Sequence, residues 1–211
     1  MSVTPGLNKE TKSAPSSKQK AELKIETHLP YLEALLAPWQ TTIGRDYLGY
    51  KNHVYRMVQF CWALKQTRGK VLTDNDKKKI MIAAAYHDIG VWVANTLDYL
   101  PPSIPPALAY LKSQGLDDWQ QEITLMINQH HKRSPYTNPQ LEQSTVDMVE
   151  LFRQGDLIDF SLGLVKFELP KSYIKAMKKA IPNKGFHLGL LKKGMRWFIR
   201  HPLNPAPMMK K

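Results

Sequence analysis

The stretch from Ile80 to Ile89 constrains the fold most, because an apolar run ends in an adjacent histidine and aspartate, His87 and Asp88. The small residues of this run predict a helix that is packed on several sides. Burying an imidazole beside a carboxylate is costly unless the two are hydrogen-bonded or bound to a cation. Such a pair also suits a borderline divalent metal. The rest of the chain must therefore supply partners for this pair.

Helical periodicity continues along most of the chain, and neither strand alternation nor an internal repeat is present. We therefore predict an all-α protein. A capping box at Thr73 and Asp76 predicts the start of the helix that leads to His87, and Gly90 is expected to end it. Four prolines within residues 101–106 predict an extended connection. The other helices are predicted at Glu22–Ala37, Asp46–Gln66, Ala107–Gln114, Asp117–Lys132, Gln140–Phe160, Lys171–Ile181 and Phe186–Arg200.

The composition of the 211 residues favours a single folded domain with a short tail. Residues 1–20 are polar and rich in Ser, Pro and Lys, which predicts disorder. Residues 21–211 are expected to form one domain, with a motif-bearing core at 45–162 and a basic helical extension at 166–211. Cys61 is the single cysteine, and we find neither a leader peptide nor a membrane-spanning apolar run. We therefore expect a cytoplasmic protein.

The net charge of +12 is concentrated near the end of the sequence. Residues 166–211 hold twelve of the Lys and Arg residues against one acid, Glu168, which leaves the first 165 residues nearly neutral. A positive segment of this kind can attract phosphate-rich partners through a field that does not depend on their sequence. A solvated basic face is the simpler interpretation.

Three separate helices each carry a polar residue that does not match its apolar face. His53 lies at the edge of the stripe that includes Tyr50 and Met57, and Asp156 follows a stripe that ends at Phe152. His87 and Asp88 follow His53 by 34 and 35 positions, and Asp156 follows Asp88 by 68 positions. An unpaired carboxylate on a buried face costs several kcal/mol, so Asp156 requires a partner.

This order of residues resembles the HD-domain superfamily of metal-dependent phosphohydrolases, and His87-Asp88-Ile89-Gly90 matches a common form of its central motif. The resemblance implies an all-α, HD-domain-like helical bundle with a metal site in its core. It implies a divalent metal, which is Mn, Fe, Zn, Co or Ni. It further implies hydrolysis of a nucleotide or another small phosphoester by a metal-activated water. The implied metal ligands are His53, His87, Asp88 and Asp156.

Several nearby groups are candidates for roles around that metal. Lys51, Arg56 and Lys132 are expected to hold substrate phosphate oxygens, and His130, His131 and Lys132 join Asp88 as expected catalytic residues. Asp98 and Asp159 are candidates to orient the ligand histidines.

Two departures from the family pattern keep other activities open. Nucleotidase and alarmone-hydrolysing members carry an acid shortly after the His-Asp pair, whereas Val91 and Trp92 follow Gly90 here. Two-metal members have additional histidines, but this chain has only His130 and His131 in that interval, so we expect one metal, with a second, weaker site through His130 as the alternative. A hydratase or a di-iron oxygenase acting on a small organic substrate is the alternative. Three further segments resemble those of a bacterial branch of HD proteins that has no assigned substrate. They are Thr96–Leu100, His130–Lys132 and Pro182–His187.

The basic extension allows a third interpretation, a regulatory module that binds nucleotide, nucleic acid or anionic lipid. Apolar residues from Phe186 to Ile199 interleave with Lys192, Lys193, Arg196 and Arg200, as in an interfacial helix. Packing of this helix on the core, with its lysines in water, is the preferred interpretation. Association of the chain with further copies of itself, as a homo-oligomer, is also left open.

Overall fold

The computed structural model of this protein describes residue 1 and residues 23–210. These residues form helices and short 3-10 turns, with no strand among them. The predicted all-α class is thus confirmed for the described part of the chain. The helices are α1 (Pro30–Leu36), α2 (Gln40–Ile43), α3 (Tyr47–Thr67), α4 (Asp74–Tyr86), α5 (Gly90–Val93), α6 (Leu100–Ser113), α7 (Gln120–Gln129), α8 (Gln143–Phe160), α9 (Lys171–Ala180) and α10 (Phe186–Arg200).

Helices α3 and α8 form the most extensive helix pair, and α4 and α7 pack against them. Gly155 of α8 allows this close approach, because a Cβ atom there would lie 2.2 Å from the Sγ atom of Cys61 on α3. Most buried apolar residues between Leu29 and Phe186 form one cluster around this pair, and Val91, Tyr99 and Leu100 form a second, smaller one. The α3–α8 contact brings His53 and Asp156 to the same side of the core.

The first predicted helix was wrong over its first half. Residues 23–29 are not helical, and α1 begins at Pro30, where a proline in the first turn lacks only an N–H that would have no partner in the helix. The apolar face of the prediction is correct, since the leucines at positions 29, 32, 35 and 36 are buried.

The prediction of an extended connection at the four prolines was also wrong, because residues 101–106 lie in α6. Pro101 and Pro102 occupy the first turn, where proline is tolerated. Pro105 and Pro106 lie further inside the helix, and burial of Leu100, Ala107 and Leu111 along one face offsets the lost hydrogen bonds. Tertiary packing therefore outweighs the local preference.

Gly90 was expected to end α4 in a left-handed conformation. This prediction was wrong, because Gly90 begins α5 and does not have a positive φ. Its backbone N–H donates to Ser103 Oγ at 2.9 Å, and a Cβ atom would lie 2.2 Å from the Tyr99 carbonyl oxygen. This glycine is thus required by close contact with the start of α6. The capping box of Thr73 and Asp76 is present as predicted.

The predicted disordered segment, residues 1–20, lies outside the described residues apart from Met1. Across the described residues, none of the helices combines the length and the apolar character that crossing a bilayer requires.

Candidate metal centre

Four side chains from two helices and one turn meet in the core. His53 lies on α3, His87 and Asp88 lie in the turn after α4, and Asp156 lies on α8. The Nε2 atoms of His53 and His87 are 3.2 Å apart, and a carboxylate oxygen of Asp88 lies 3.3 Å from His87 Nε2. An oxygen of Asp156 lies 3.4 Å from His53 Nε2 and 3.9 Å from His87 Nε2. His53, His87 and Asp88 form a buried group that could hold a metal ion.

The other ring nitrogen of each histidine determines which tautomer is present. His87 Nδ1–H donates to the Ala84 carbonyl oxygen at 2.8 Å, and His53 Nδ1–H donates to the Asp159 carboxylate at 2.8 Å. Both acceptors lack a proton to give, so in the neutral rings the two facing Nε2 atoms each carry a lone pair. Two lone pairs at 3.2 Å cannot satisfy one another, and a proton or a cation between them would resolve the conflict.

The spacing of these atoms fits coordination to one ion. Metal–nitrogen and metal–oxygen bonds of about 2.0–2.2 Å place neighbouring ligand atoms roughly 3.0–3.5 Å apart in octahedral or tetrahedral geometry. The His53–His87 and His87–Asp88 separations of 3.2 and 3.3 Å lie in this range. Asp156 lies 3.4 Å from His53 Nε2 and 3.9 Å from His87 Nε2. Histidine nitrogens together with carboxylate oxygens suit Mn, Fe, Zn, Co or Ni, and the ligand types do not choose among them.

A buried ion pair supports His53 from behind. Both carboxylate oxygens of Asp159 accept hydrogen bonds from Arg56, at 2.5 Å from Nε and 2.7 Å from the second terminal nitrogen. Burial would raise the pKa of Asp159, but the hydrogen bonds from His53 and Arg56 outweigh it and lower the pKa to about 2. Burial lowers the pKa of His53 to about 4. His53 is therefore neutral at pH 7 and is oriented as a ligand.

The two candidate carboxylate ligands lie in different electrostatic environments. Burial raises the pKa of Asp156 to about 7, and the neighbouring carboxylates of Asp88 and Asp159 add to this shift. Burial also opposes ionisation of Asp88, but the charge of His87 and His130, and their hydrogen bonds when the rings are protonated, hold its pKa well below its usual value. The surrounding protein thus disfavours the ionised form of Asp156, and a bound cation would stabilise its negative charge.

A cavity of about 460 Å³ opens onto the cluster. Its floor includes His53, Asp88 and Asp156, and its volume is typical of small-molecule sites. Its walls are mainly apolar and come from α8, α10 and the turn near residue 208. The apolar wall residues are Val91, Leu97, Leu157, Phe160, Phe186, Leu190, Leu191, Pro205, Met208 and Met209.

The predicted residues His130 and His131 both reach this cavity. His130 Nε2 lies 3.5 Å from Asp88, and it accepts a hydrogen bond of 3.2 Å from the Tyr99 hydroxyl, because its Nδ1–H donates to Ile127. Burial lowers the pKa of His131 to about 4. The buried ring nitrogens of His131 have no well-formed hydrogen bond to the described residues, so they are suited to meet a polar group of a ligand.

The three predicted phosphate-binding cations are not among the residues that line the cavity. Lys51 pairs with Glu33 at 2.9 Å, and Arg56 is committed to Asp159. Lys132 accepts a hydrogen bond from Arg153 through its backbone carbonyl. Arg133, the next residue, lines the cavity and was not predicted.

Other cavity residues were missed because their side chains meet the site only through tertiary contacts. Phe186 stacks on the His53 ring at 4.1 Å, and His187 Nε2–H donates to the Asp159 carbonyl oxygen at 3.0 Å. Tyr99 follows a turn in which the Asp98 N–H donates to Thr96 Oγ1. Tyr99, Phe186 and His187 lie in the segments Thr96–Leu100 and Pro182–His187, which the sequence singles out without assigning these residues a role at the site.

Comparisons of the chain with protein-family models, curated proteins and solved structures find no match. The conclusions that follow therefore depend on the geometry of the site.

Proposed function

We propose that this chain is a metal-dependent phosphohydrolase of the HD type, acting on a small phosphoester that has an apolar portion. The observation that supports this most directly is the pair of facing Nε2 lone pairs on His53 and His87, flanked by the carboxylates of Asp88 and Asp156. A divalent cation in such a set activates water and draws charge from a phosphoryl group.

Other residues of the chain orient the two histidines and line the place where the substrate would bind. Asp159 and Arg56 orient His53, while the Ala84 carbonyl orients His87. Arg133 at the cavity lining is placed to meet an anionic substrate group, and His131 can donate or accept a hydrogen bond there. The apolar walls exclude water from the polar floor and favour a substrate whose non-reacting part is apolar.

The test begins with metal content. Purified full-length chain is stripped with a chelator, reloaded with Mn, Co or Zn, and analysed for metal per chain. We expect about one ion in the wild type and in His28→Ala, an exposed histidine far from the cluster, and loss of binding in His87→Ala. Retention of the ion by His87→Ala would contradict the assigned site.

The reaction is tested separately on a panel of phosphoesters with and without apolar groups. We expect phosphate release that depends on the metal and is faster for substrates with an apolar portion. If no phosphate is released from any member of the panel while metal is bound, phosphoester hydrolysis is excluded, but the assignment of the metal site still stands.

A di-iron oxygenase or hydratase is the second candidate, because Asp88 lies between two histidines. One Asp88 oxygen is 3.3 Å from His87, and the other is 3.5 Å from His130. This arrangement would allow a second ion to share Asp88. Two irons per chain in the metal analysis would favour the oxygenase, whereas one ion per chain supports the hydrolase.

A further inference from the structure

Helix α10 exposes apolar side chains along one continuous face. Five of them follow one another at intervals of three, four, three and one residues, which places them within about 100° around the helix. Each is at least half exposed, from 50% for Phe198 to 73% for Ile199. The apolar stripe consists of Leu188, Leu191, Met195, Phe198 and Ile199.

The opposite side of α10 faces the body of the protein. Phe186 is buried, and Leu190 and Trp197 are half-buried. The expected packing of α10 on the core is therefore correct for this side only. Packing alone does not explain the apolar stripe, since each of its five residues keeps at least half of its surface exposed.

A row of cations borders the apolar stripe. Lys192, Arg196 and Arg200 follow one another at four-residue intervals, adjacent to the stripe on the helix surface. They form no ion pair with any residue that the structure describes. The helix contains no acidic residue. An apolar face bordered by lysine and arginine is the arrangement of helices that lie in a lipid interface.

We propose that the apolar stripe of α10 docks on the surface of an anionic lipid bilayer. The stripe would enter the boundary between headgroups and acyl chains, while Lys192, Arg196 and Arg200 would meet lipid phosphates. Leu191 belongs to the stripe and also lines the cavity above the metal cluster, so docking would bring the cavity close to the membrane. The proposal does not depend on the reaction.

Other occupants fit this surface less well. Non-specific nucleic-acid binding uses cations together with aromatic stacking platforms, but the exposed centre here is aliphatic except for Phe198. A second copy of the chain would place two cationic rows in proximity, which is unfavourable. An anionic bilayer offers both an apolar boundary for the stripe and phosphates for the cations.

The first experiment measures sedimentation of the full chain with vesicles. We expect binding to vesicles of equal parts phosphatidylglycerol and phosphatidylcholine, and weaker binding to pure phosphatidylcholine or at high salt. Changing Met195, Phe198 and Ile199 together to serine should weaken partitioning at least tenfold, as measured by the bound fraction. Equal binding by this variant, or no binding by the wild type, would overturn the proposal.

Charge reversal provides a matched control. The triple variant Lys192→Glu, Arg196→Glu, Arg200→Glu should lose about fivefold or more in partitioning for each cation that contacts the surface. The variant Lys171→Glu, Lys175→Glu, Lys179→Glu changes the net charge equally, on exposed positions of α9, and should bind nearly as the wild type does. Equal losses in the two variants would show a general field and contradict docking through α10.

A labelling measurement keeps the proposal testable if a triple variant does not fold. Cys61 is buried, so Met195→Cys would introduce an accessible thiol for an environment-sensitive dye. Val71, which is 80% exposed between α3 and α4, provides the control as Val71→Cys. We expect a blue shift on anionic vesicles at position 195 and none at position 71.

Two further results would replace the bilayer with another partner and so overturn the proposal. One is retention of duplex DNA, with no vesicle binding, that is lost in the Lys192→Glu, Arg196→Glu, Arg200→Glu variant. The other is a dimer in sedimentation equilibrium that the serine variant dissociates. Metal content of every variant should equal that of the wild type, which separates this test from that of the metal centre.

Discussion

The metal-site region and the outer face of α10 break the usual burial pattern in opposite directions. In the core, the charged groups Asp88, Asp156 and the Arg56–Asp159 pair are almost fully buried, whereas on α10 five large apolar residues are exposed. Buried polar groups and exposed apolar patches are the informative exceptions to ordinary burial. In the core, the Arg56–Asp159 pair is held by hydrogen bonds within the protein. The exposed residues of α10 are the ones that we propose to be covered by a partner.

The strongest test of this contrast removes a buried charge. Arg56→Ala leaves the Asp159 carboxylate buried without its counter-ion, so we expect the free energy of unfolding to fall by about 3–5 kcal/mol. Arg45→Ala removes an exposed arginine that lies 4.0 Å from Asp46, and should cost less than about 0.5 kcal/mol. Urea denaturation measures both. Similar costs for the two variants would remove the distinction between core and surface charges.

The second test asks whether Asp159 acts on the metal site through His53. Asp159→Asn should weaken metal affinity about 10–100-fold, because the carboxylate that orients the His53 ring is lost. Asp147→Asn changes an exposed carboxylate on the same helix and should leave affinity unchanged. Calorimetric titration with Mn or Zn measures the effect. An unchanged affinity in Asp159→Asn would mean that packing alone orients His53.

The third test compares glycines in α8 and α10. Gly155→Ala introduces a Cβ atom 2.2 Å from Cys61 Sγ, and we expect a loss of about 1–3 kcal/mol in the free energy of unfolding. Gly194→Ala meets no neighbour within 4 Å and should stabilise α10 by about 0.5–1 kcal/mol. Thermal unfolding measures both changes. Destabilisation by Gly194→Ala would show that α10 packs more closely than the structure indicates.

The smallest expected effect concerns an ion pair that joins α10 to the body. Asp46 accepts a hydrogen bond from Trp92 and pairs with Lys193 at 3.1 Å, and these contacts outweigh burial and lower the pKa of Asp46 below its usual value. The stabilisation is therefore present above about pH 4 and is lost as the pH falls through the lowered pKa. Its size should be below about 1 kcal/mol.

This pH dependence is checked by comparing unfolding of wild type and Asp46→Asn from pH 6 downward. The difference in stability between them should shrink as the wild-type carboxyl becomes protonated. A constant difference across the range would mean that Asp46 contributes through packing and not through charge.

The sequence was informative where a pattern is local. The helical stripes predicted α3, α8 and α10 closely, and the positions of His53 and Asp156 on those stripes indicated that their side chains would point inward. The partners of these residues were harder to predict. The pairing of Arg56 with Asp159 spans 103 positions, and nothing in either local segment distinguishes a phosphate-binding arginine from one committed to a carboxylate.

The errors have the same physical origin. Local proline chemistry predicted an extended segment at residues 101–106, but burial of one face makes it a helix. Glycine after an apolar helical run is typical of a helix end, which led to the wrong prediction at Gly90. The structure shows that glycine is required there because the Tyr99 carbonyl oxygen leaves no room for a side chain. In both places, contacts between distant segments outweigh the preference of the segment itself.

The cavity wall formed by Pro205, Met208 and Met209 has a practical consequence for handling this protein. A polyhistidine tag fused directly after Met209 would begin beside residues that line the cavity, where its imidazoles would compete for metal. Recombinant protein should therefore carry its tag at the amino end, and the tag should be cleaved before metal is counted.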